Sequence, residues 1–427
     1  MSATATTEKK YLKWYQKLAY GSGDLASNCS YGLVSSFVLL YLTGTLGLDS
    51  AIIGSLMLAS KVLDGISDVI FGTLIDRTHS KLGKARPWML FGQVGVSLCL
   101  FLLFAIPAGS TTMQYIYFFI VYTALNAVFY TANGIAYSSL VALITKNNNE
   151  RVQLGSFRFM FAVVTNIFMG FAVTGMVEKF GSGAAGWRTT ALIFAIVGLV
   201  VNTISCLAVK ELPEEELSGN TSEAAEEGKA VAEEKKHGFA ETAKILVHNK
   251  YYLMILAIYI VYYIMSNLTT GAGVFCATYY WGDGSLLGQF SMMKMFPVII
   301  ALAIAPVLIK KTGSMQKVNF WGYAISSVLG IPMIYFAMQK NLSMFLLFMF
   351  IKGIFAGTLS GSLNALIAEA SGYTTRTTGV HMDGMMYSCS SLGVKVGGGI
   401  GTAAVGWLLK LGGFVGTATV QRSEEHT

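Results

Sequence analysis

Charged residues are scarce in this chain. Only 12% of its 427 residues are Asp, Glu, Lys or Arg, and 54% are hydrophobic, whereas a soluble domain carries roughly 25% charged residues. Proline is also rare, with 6 residues, while glycine reaches 46, a balance that suits long, closely packed helices. The composition excludes an ordinary soluble globule and predicts an all-α membrane protein.

Cysteine is likewise sparse and forms no recognisable metal or disulfide pattern. All five cysteines lie in apolar stretches, and none belongs to a C-x-x-C pair. The net charge of +7 does not indicate a nucleic-acid partner, because the basic residues fall in short loops between apolar runs. We expect no nucleic-acid partner, no obligate protein partner and no cofactor.

Eleven stretches approach the length of about 20 apolar residues that a membrane span needs. The polar segment 210–250 separates the sixth from the seventh, and we interpret it as a cytoplasmic linker between an N-terminal six-helix bundle, 1–209, and a C-terminal bundle, 251–421. The predicted spans are 22–46, 50–75, 88–107, 113–144, 154–176, 188–208, 251–277, 286–309, 318–338, 343–370 and 385–413.

The second bundle has one span fewer than the first. We expect two six-helix bundles with the twelfth helix missing by truncation, and a non-native tail at 422–427. A natural polar tail on an eleven-span protein is the alternative.

Positive residues mark one side of the membrane. They are frequent before the first span and in the loops that follow every second span, and only Lys179, Arg188 and Lys340 lie on the other side. Because cytoplasmic loops are enriched in Lys and Arg, the N-terminus is predicted to be cytoplasmic in the inner (plasma) membrane of the cell, which makes the bilayer itself a partner.

The second span carries charges inside an apolar run. Lys61, Asp64 and Asp68 lie on one helical face, with Ser67 beside them. A charge at mid-bilayer costs at least ~2.5–3.5 kcal/mol, and two neighbouring carboxylates repel each other unless they share a proton or a cation. The pattern favours a site for a coupling ion, Na⁺ or H⁺, and an interhelical salt bridge is the alternative.

The loop after this span combines acidic and basic residues. Asp76 and Arg77 are followed by a basic cluster that ends at Arg86, as in the loop between spans two and three of major facilitators. Charge-assisted pairs here would form a conformational latch, or gate, that closes the cytoplasmic side. The alternative is that these charges serve only as topology signals.

Several motifs together resemble one transporter family. They are similar to the glycoside, pentoside and hexuronide:cation symporters of the major facilitator superfamily, which include the melibiose permeases, and the resemblance runs from Tyr20 to about Leu411. The motifs are Gly23-Asp24 with Asn28, Asp64-Gly-Ile-Ser-Asp68, Lys84-Ala-Arg86-Pro87-Trp88, and Gly384 to Gly397 with Gly406-Trp407.

The resemblance implies cation-coupled uptake of a glycoside, pentoside or other sugar by alternating access. Its cation site corresponds to Asp64, Ser67, Asp68 and Thr131, and Asp64 and Asp68 would be the Na⁺ ligands of a sodium-coupled protein. The melibiose branch has asparagine in place of Ser67, so the preferred ion is left open.

The implied sugar site comprises Asp24, Asn28, Arg158 and Lys395. Lys395 is also expected to pair with Asp64 or Asp68 in the absence of the cation. From the residues alone, Asn28 could instead bond a neighbouring helix, and Arg158 could extend to the interface. Lys352, inside span ten, has no family role and is a further candidate for binding substrate.

Three positions depart from the melibiose permeases. Asn28 replaces an acid, while Gly134 and Ser138 replace a second acidic sugar ligand and a stacking tryptophan. The melibiose specificity is therefore not carried over. Because Lys294 and Arg158 are expected near the interfaces, where their charges need no substrate partner, a neutral sugar is favoured over a hexuronide.

Two other function classes were weighed against sugar transport. An enzyme is not expected, because none of the five histidines lies inside a predicted span beside a nucleophile or metal ligand. A cation-coupled lipid or lysolipid carrier stays an alternative, which a wide apolar opening between the two halves would favour.

Overall fold

The computed structural model describes residues 9–213, 249–378 and 383–416. In these residues the chain forms eleven long helical segments, one for each predicted span. They are α1 (Trp14–Thr45), α2 (Ser50–Asp76), α3 (Arg86–Leu103), α4 (Thr111–Ile144), α5 (Asn148–Lys179), α6 (Gly183–Leu207), α7 (Lys250–Tyr280), α8 (Leu286–Thr312), α9 (Met315–Met338), α10 (Leu342–Thr378) and α11 (Asp383–Leu411). Most of the predicted linker, 214–248, and the predicted tail lie outside the described residues.

Ten of these segments contain a stretch long and apolar enough to cross a membrane. The helix outside that set is α2, which holds the charged motif with Lys61, Asp64 and Asp68. Several helices begin earlier than their apolar runs because a polar residue caps them. The side chain of Asn147, for example, accepts a hydrogen bond from Glu150 N, so α5 starts six residues before its predicted span.

Three of the segments contain a π-helical turn, at Tyr41–Thr45, Ala124–Tyr130 and Cys276–Tyr280. Such turns are rare and often occur at functional sites. The turn in α4 ends immediately before Thr131, one of the residues predicted to bind the cation.

The described helices group into two compact units. The first contains α1 to α6 and the residues from Gly399 onward, and its core includes Tyr20, Met89, Leu140 and Cys206. A buried Glu150 fastens the segment before α1 to α5, because its carboxylate accepts the backbone N–H groups of Tyr11 and Leu12 and lies 3.0 Å from Lys17 Nζ.

The last part of α11 belongs to this first unit, although the sequence placed all of 251–421 in the second bundle. Small residues explain the difference, since they let two helix backbones approach closely. A Cβ atom at Gly406 would lie 2.2 Å from Ser50 O, and one at Gly54 would lie 2.8 Å from Ala403 O. Ser50 Oγ also donates to Gly406 O at 2.9 Å.

An ion pair joins the start of α2 to the end of α11. Asp49 caps α2 by accepting from Ala51 N and Ile52 N, and its second oxygen lies 2.5 Å from Lys410 Nζ. The hydrogen bond from Lys410 lowers the pKa of Asp49 below its ordinary value.

The second unit contains α7 to α10 and α11 up to Gly398. Tyr252 and Tyr259 of α7 pack with Leu363 and Ile367 of α10. Helix α7 also contacts α11, because a Cβ added at Gly393 would lie 2.3 Å from the Cβ of Tyr259. Glycines again allow close helix packing.

Substitution of Gly406 by valine should destabilise the protein. The new side chain would overlap the Ser50 carbonyl, and overpacking typically costs about 1–3 kcal/mol. The melting temperature of the purified protein in detergent should fall, whereas Gly273→Ala, where a Cβ meets nothing within 4 Å, should leave it unchanged. Equal melting temperatures for wild type and Gly406→Val would show that α2 and α11 do not pack in this way.

Substitution of Asp49 by asparagine should remove a small, pH-dependent part of the stability. Asparagine keeps the cap but loses the charge, and an exposed ion pair contributes at most about 1 kcal/mol. Since the pKa of Asp49 is lowered in the folded state, its contribution is present above the ordinary aspartate pKa of about 4 and is lost as the pH falls from there through the lowered pKa of the folded protein. Melting curves of both proteins should therefore converge at acidic pH, and a constant difference would contradict the ion pair.

Candidate functional site

Asp64 is the centre of a buried polar cluster in the first unit. Its side chain accepts from Thr131 Oγ1 of α4, with an Oδ1–Oγ1 distance of 2.6 Å. Ser67 donates to the backbone oxygen of Asp64 at 2.9 Å, and all three residues are buried. Asp68 follows one turn later on the same helix and is partly buried. The structure thus brings Thr131 to the acid motif, as the resemblance implies.

The Thr131 hydroxyl has two oxygen neighbours in this cluster. Its Oγ1 lies 2.6 Å from Asp64 Oδ1 and 2.9 Å from Asn126 O, and its single hydrogen can be shared between them. The Asn126 carbonyl belongs to the π turn of α4. Carboxylate, hydroxyl and carbonyl oxygens are the ligand types that suit a small hard cation, and a cation site here stays a prediction.

Lys61 provides a positive charge next to this site. Its Nζ lies 3.3 Å from Asp64 Oδ2 and 5.4 Å from the ring centre of Tyr31. The sequence placed Lys61 on the same helical face but did not assign it as the partner of Asp64, although the three-residue spacing permits that pair.

A second polar cluster joins α1, α4 and α5. Arg158 Nε lies 2.5 Å from Asp24 Oδ2, and the Tyr137 hydroxyl lies 3.2 Å from the same oxygen. The guanidinium of Arg158 also stacks over the Tyr137 ring at 4.2 Å. Arg158 is thus paired with Asp24 of α1.

Asn28 continues this cluster toward α5. It donates to Asp24 O at 2.7 Å and accepts from Asn166 Nδ2 at 3.1 Å, so its amide does link two helices. Neither Tyr137 nor Asn166 was predicted from the sequence. Helical spacing could have indicated both, because Asn166 lies eight residues after Arg158 and Tyr137 lies three after Gly134.

Two positions of α4 that the melibiose permeases fill with larger side chains are open in this chain. A Cβ atom at Gly134, where those permeases carry an acid, would meet no atom within 4 Å, and Ser138 is exposed. The cluster itself combines a carboxylate, a guanidinium and amides, and a sugar site here stays a prediction.

The two other predicted substrate residues lie in the second unit. Lys352 Nζ lies against α9, 3.8 Å from where a Cβ at Gly330 would be. Lys395 is partly buried on α11, between Gly393 and Gly397, which pack on α7. Substrate roles for both lysines stay predictions.

The predicted latch residues have local contacts. Arg86 Nε donates to Cys206 O at 3.2 Å, and the Glu211 carboxylate accepts the backbone N–H groups of residues 84 to 86. Arg77 is exposed, while the side chain of Asp76 lies outside the described part of the chain. The sequence analysis missed Glu211, and the latch stays a prediction.

Comparisons with known proteins agree on one kind of molecule. The family model described as MFS/sugar transport protein matches residues 19–427. An isoprimeverose transporter of Lactiplantibacillus pentosus is 26% identical over 95% of this chain and 82% of its own length. A glucuronide carrier protein homolog of Escherichia coli is 24% identical over 95% of this chain and 85% of its own length. The crystal structure of the nucleoside transporter NupG matches with a TM-score of 0.65 at 14% identity, covering 94% of this chain and 93% of the NupG chain.

A double-mutant cycle should detect the pair between Asp24 and Arg158. Arg158→Met leaves a carboxylate without its counterion and should destabilise the protein by about 2 kcal/mol, less than the ~3–5 of a fully buried pair because both side chains are partly exposed. Adding Asp24→Asn should recover much of that loss when unfolding is measured in detergent. Strictly additive effects of the two substitutions would show that the side chains do not interact.

Proposed function

The chain belongs to the MFS/sugar transport protein family, and from that premise we propose that it imports a sugar or glycoside together with Na⁺ or H⁺. Its fold is the major facilitator fold predicted from the sequence, and its family and structural neighbours are membrane transporters and not enzymes. The names of the isoprimeverose transporter and the glucuronide carrier support a sugar as the substrate.

The buried contact between Asp64 and Thr131 is the observation that carries the cation-coupled part of this proposal. A carboxylate in the hydrocarbon region needs a positive partner, and Lys61 provides one at 3.3 Å. Binding of a proton or sodium ion at the Asp64 oxygens would release Lys61. The coupling ion and Lys61 would therefore compete for the Asp64 carboxylate.

The sugar is proposed to bind at Asp24, Asn28 and Arg158. Carboxylate and guanidinium groups form strong hydrogen bonds with hydroxyl groups, and the position of Gly134 on α4 is open. Lys395 and Lys352 complete the proposed set of sugar ligands.

Helix α4 connects the two sites. Thr131 contacts Asp64, and Tyr137 contacts Asp24 six residues later, which corresponds to about 9 Å along a helix. A shift of α4 when the ion binds would therefore alter the surroundings of Asp24. This link is the proposed origin of coupling, with Asp76, Arg77 and Arg86 as the proposed cytoplasmic latch during alternating access.

The location is proposed as the plasma membrane, with a cytoplasmic N-terminus. The distribution of Lys and Arg among the short loops supports this orientation.

Substitution of Asp64 by asparagine should uncouple transport. In proteoliposomes, a sodium or proton gradient should drive sugar accumulation by the wild type but not by Asp64→Asn, which cannot supply the charge for the ion. Exchange of labelled for unlabelled sugar without a gradient should persist, because the sugar ligands lie elsewhere. Trials with each gradient alone identify the ion.

Asp283→Asn, which changes an exposed carboxylate outside the helices, is the matched control and should behave as the wild type. Undiminished accumulation by Asp64→Asn would refute the proposed role of this residue. Transport of a lysolipid but of no sugar would favour the lipid carrier instead.

A further inference from the structure

We propose that the transported sugar carries an acidic group and that Lys294 of α8 binds it. The proposal rests on the proposed sugar transport and adds the chemical class of the substrate. It concerns an anion subsite formed by Lys294, Thr270 and Ser266, all in the second unit.

Lys294 is held inside the protein by neutral groups. Its Nζ lies 2.5 Å from Thr270 Oγ1 and 3.4 Å from Ser266 O, both on α7. The Thr270 hydroxyl donates to Ser266 O at 2.8 Å, so its oxygen is free to accept from the lysine. An ammonium group has three hydrogens to donate, and a further acceptor can therefore bind.

The position of Lys294 along its helix implies a high free-energy cost for its charge. It is the ninth residue of α8, about 12 Å from the helix start. The sequence analysis expected the side chain to extend to the interface, but the structure directs it to α7. A charge held at such depth needs a counterion.

The second unit supplies no such counterion among its described side chains. Residues 249–398 contain three acids, Asp283, Glu369 and Asp383. Asp283 and Glu369 are exposed, the side chain of Asp383 lies outside the described set, and Lys294 contacts no carboxylate in that set.

The first unit is different, because two of its basic side chains within the helices are already paired. Arg158 pairs with Asp24, and Lys61 pairs with Asp64. Arg158 therefore creates no demand for an acidic substrate, whereas Lys294 does. The two residues whose expected position near the interfaces favoured a neutral sugar both contact other helices. Lys294 contacts no carboxylate among the described side chains of the second unit. A carboxylate or sulfonate on the substrate provides its anionic partner.

Ligand binding to the purified full chain tests this subsite. The probes are a glucuronide, the glucoside with the same aglycone, and a sugar of the same series that carries a sulfonate. The wild type should bind at least one anionic probe tenfold or more tightly than the glucoside. Whichever anion binds better identifies the acidic group.

Lys294→Met should abolish this preference, because it lowers the affinity for the anionic probe and leaves the affinity for the glucoside unchanged. Lys294→Arg should retain most of the preference. Lys310→Met removes a lysine from the exposed end of the same helix and should leave the preference intact. Thr270→Val should reduce the preference, because it removes the hydroxyl group that accepts a hydrogen bond from Lys294. Thr269 is an exposed neighbour whose hydroxyl bonds within its own helix, and Thr269→Val should leave the preference unchanged.

Two results would overturn the subsite: no preference for either anion in the wild type, or an equal loss of anionic and neutral probes in Lys294→Met. Both leave the proposed function intact if the glucoside is still transported with a cation. Absence of transport for all three probes under either gradient would instead contradict the proposed function.

Discussion

A charge inside a membrane must have a partner, and this constraint accounts for most of the polar structure of the protein. Asp64 lies between Lys61 and Thr131, and Arg158 lies against Asp24. Each pair is compatible with the hydrocarbon region because its charges cancel. Each pair can also be rearranged by a ligand that brings charge or hydrogen bonds of its own, so the same contacts that permit folding make transport possible.

Coupling then depends on how the ion site and the sugar site share structure. Helix α4 contributes Thr131 to the first and Tyr137 to the second, and its π turn places the Asn126 carbonyl beside the Thr131 hydroxyl. Single π turns inside α-helices are frequent at functional sites. The central claim is therefore that ion binding at Asp64 changes α4, and that α4 changes the affinity of the sugar site.

Much of this architecture could be predicted from the sequence, because long apolar runs determine membrane helices whatever their neighbours are. The motifs with Asp64 and Asp24 were visible for the same reason, since a charge in an apolar run is unusual. Contacts between distant helices were harder to predict. Tyr137, Asn166 and Glu211 acquire their roles only when other helices approach, and the grouping of Gly399 to Leu411 with α2 depends on small residues that look unremarkable in sequence.

The most direct test of the central claim is the affinity for the sugar measured by titration calorimetry with and without the coupling ion. The account predicts that the ion tightens sugar binding severalfold and that the sugar tightens ion binding by the same factor, because a coupling free energy between two sites is reciprocal. A sugar affinity independent of Na⁺ and of pH would contradict coupling through α4, even if both ligands bind.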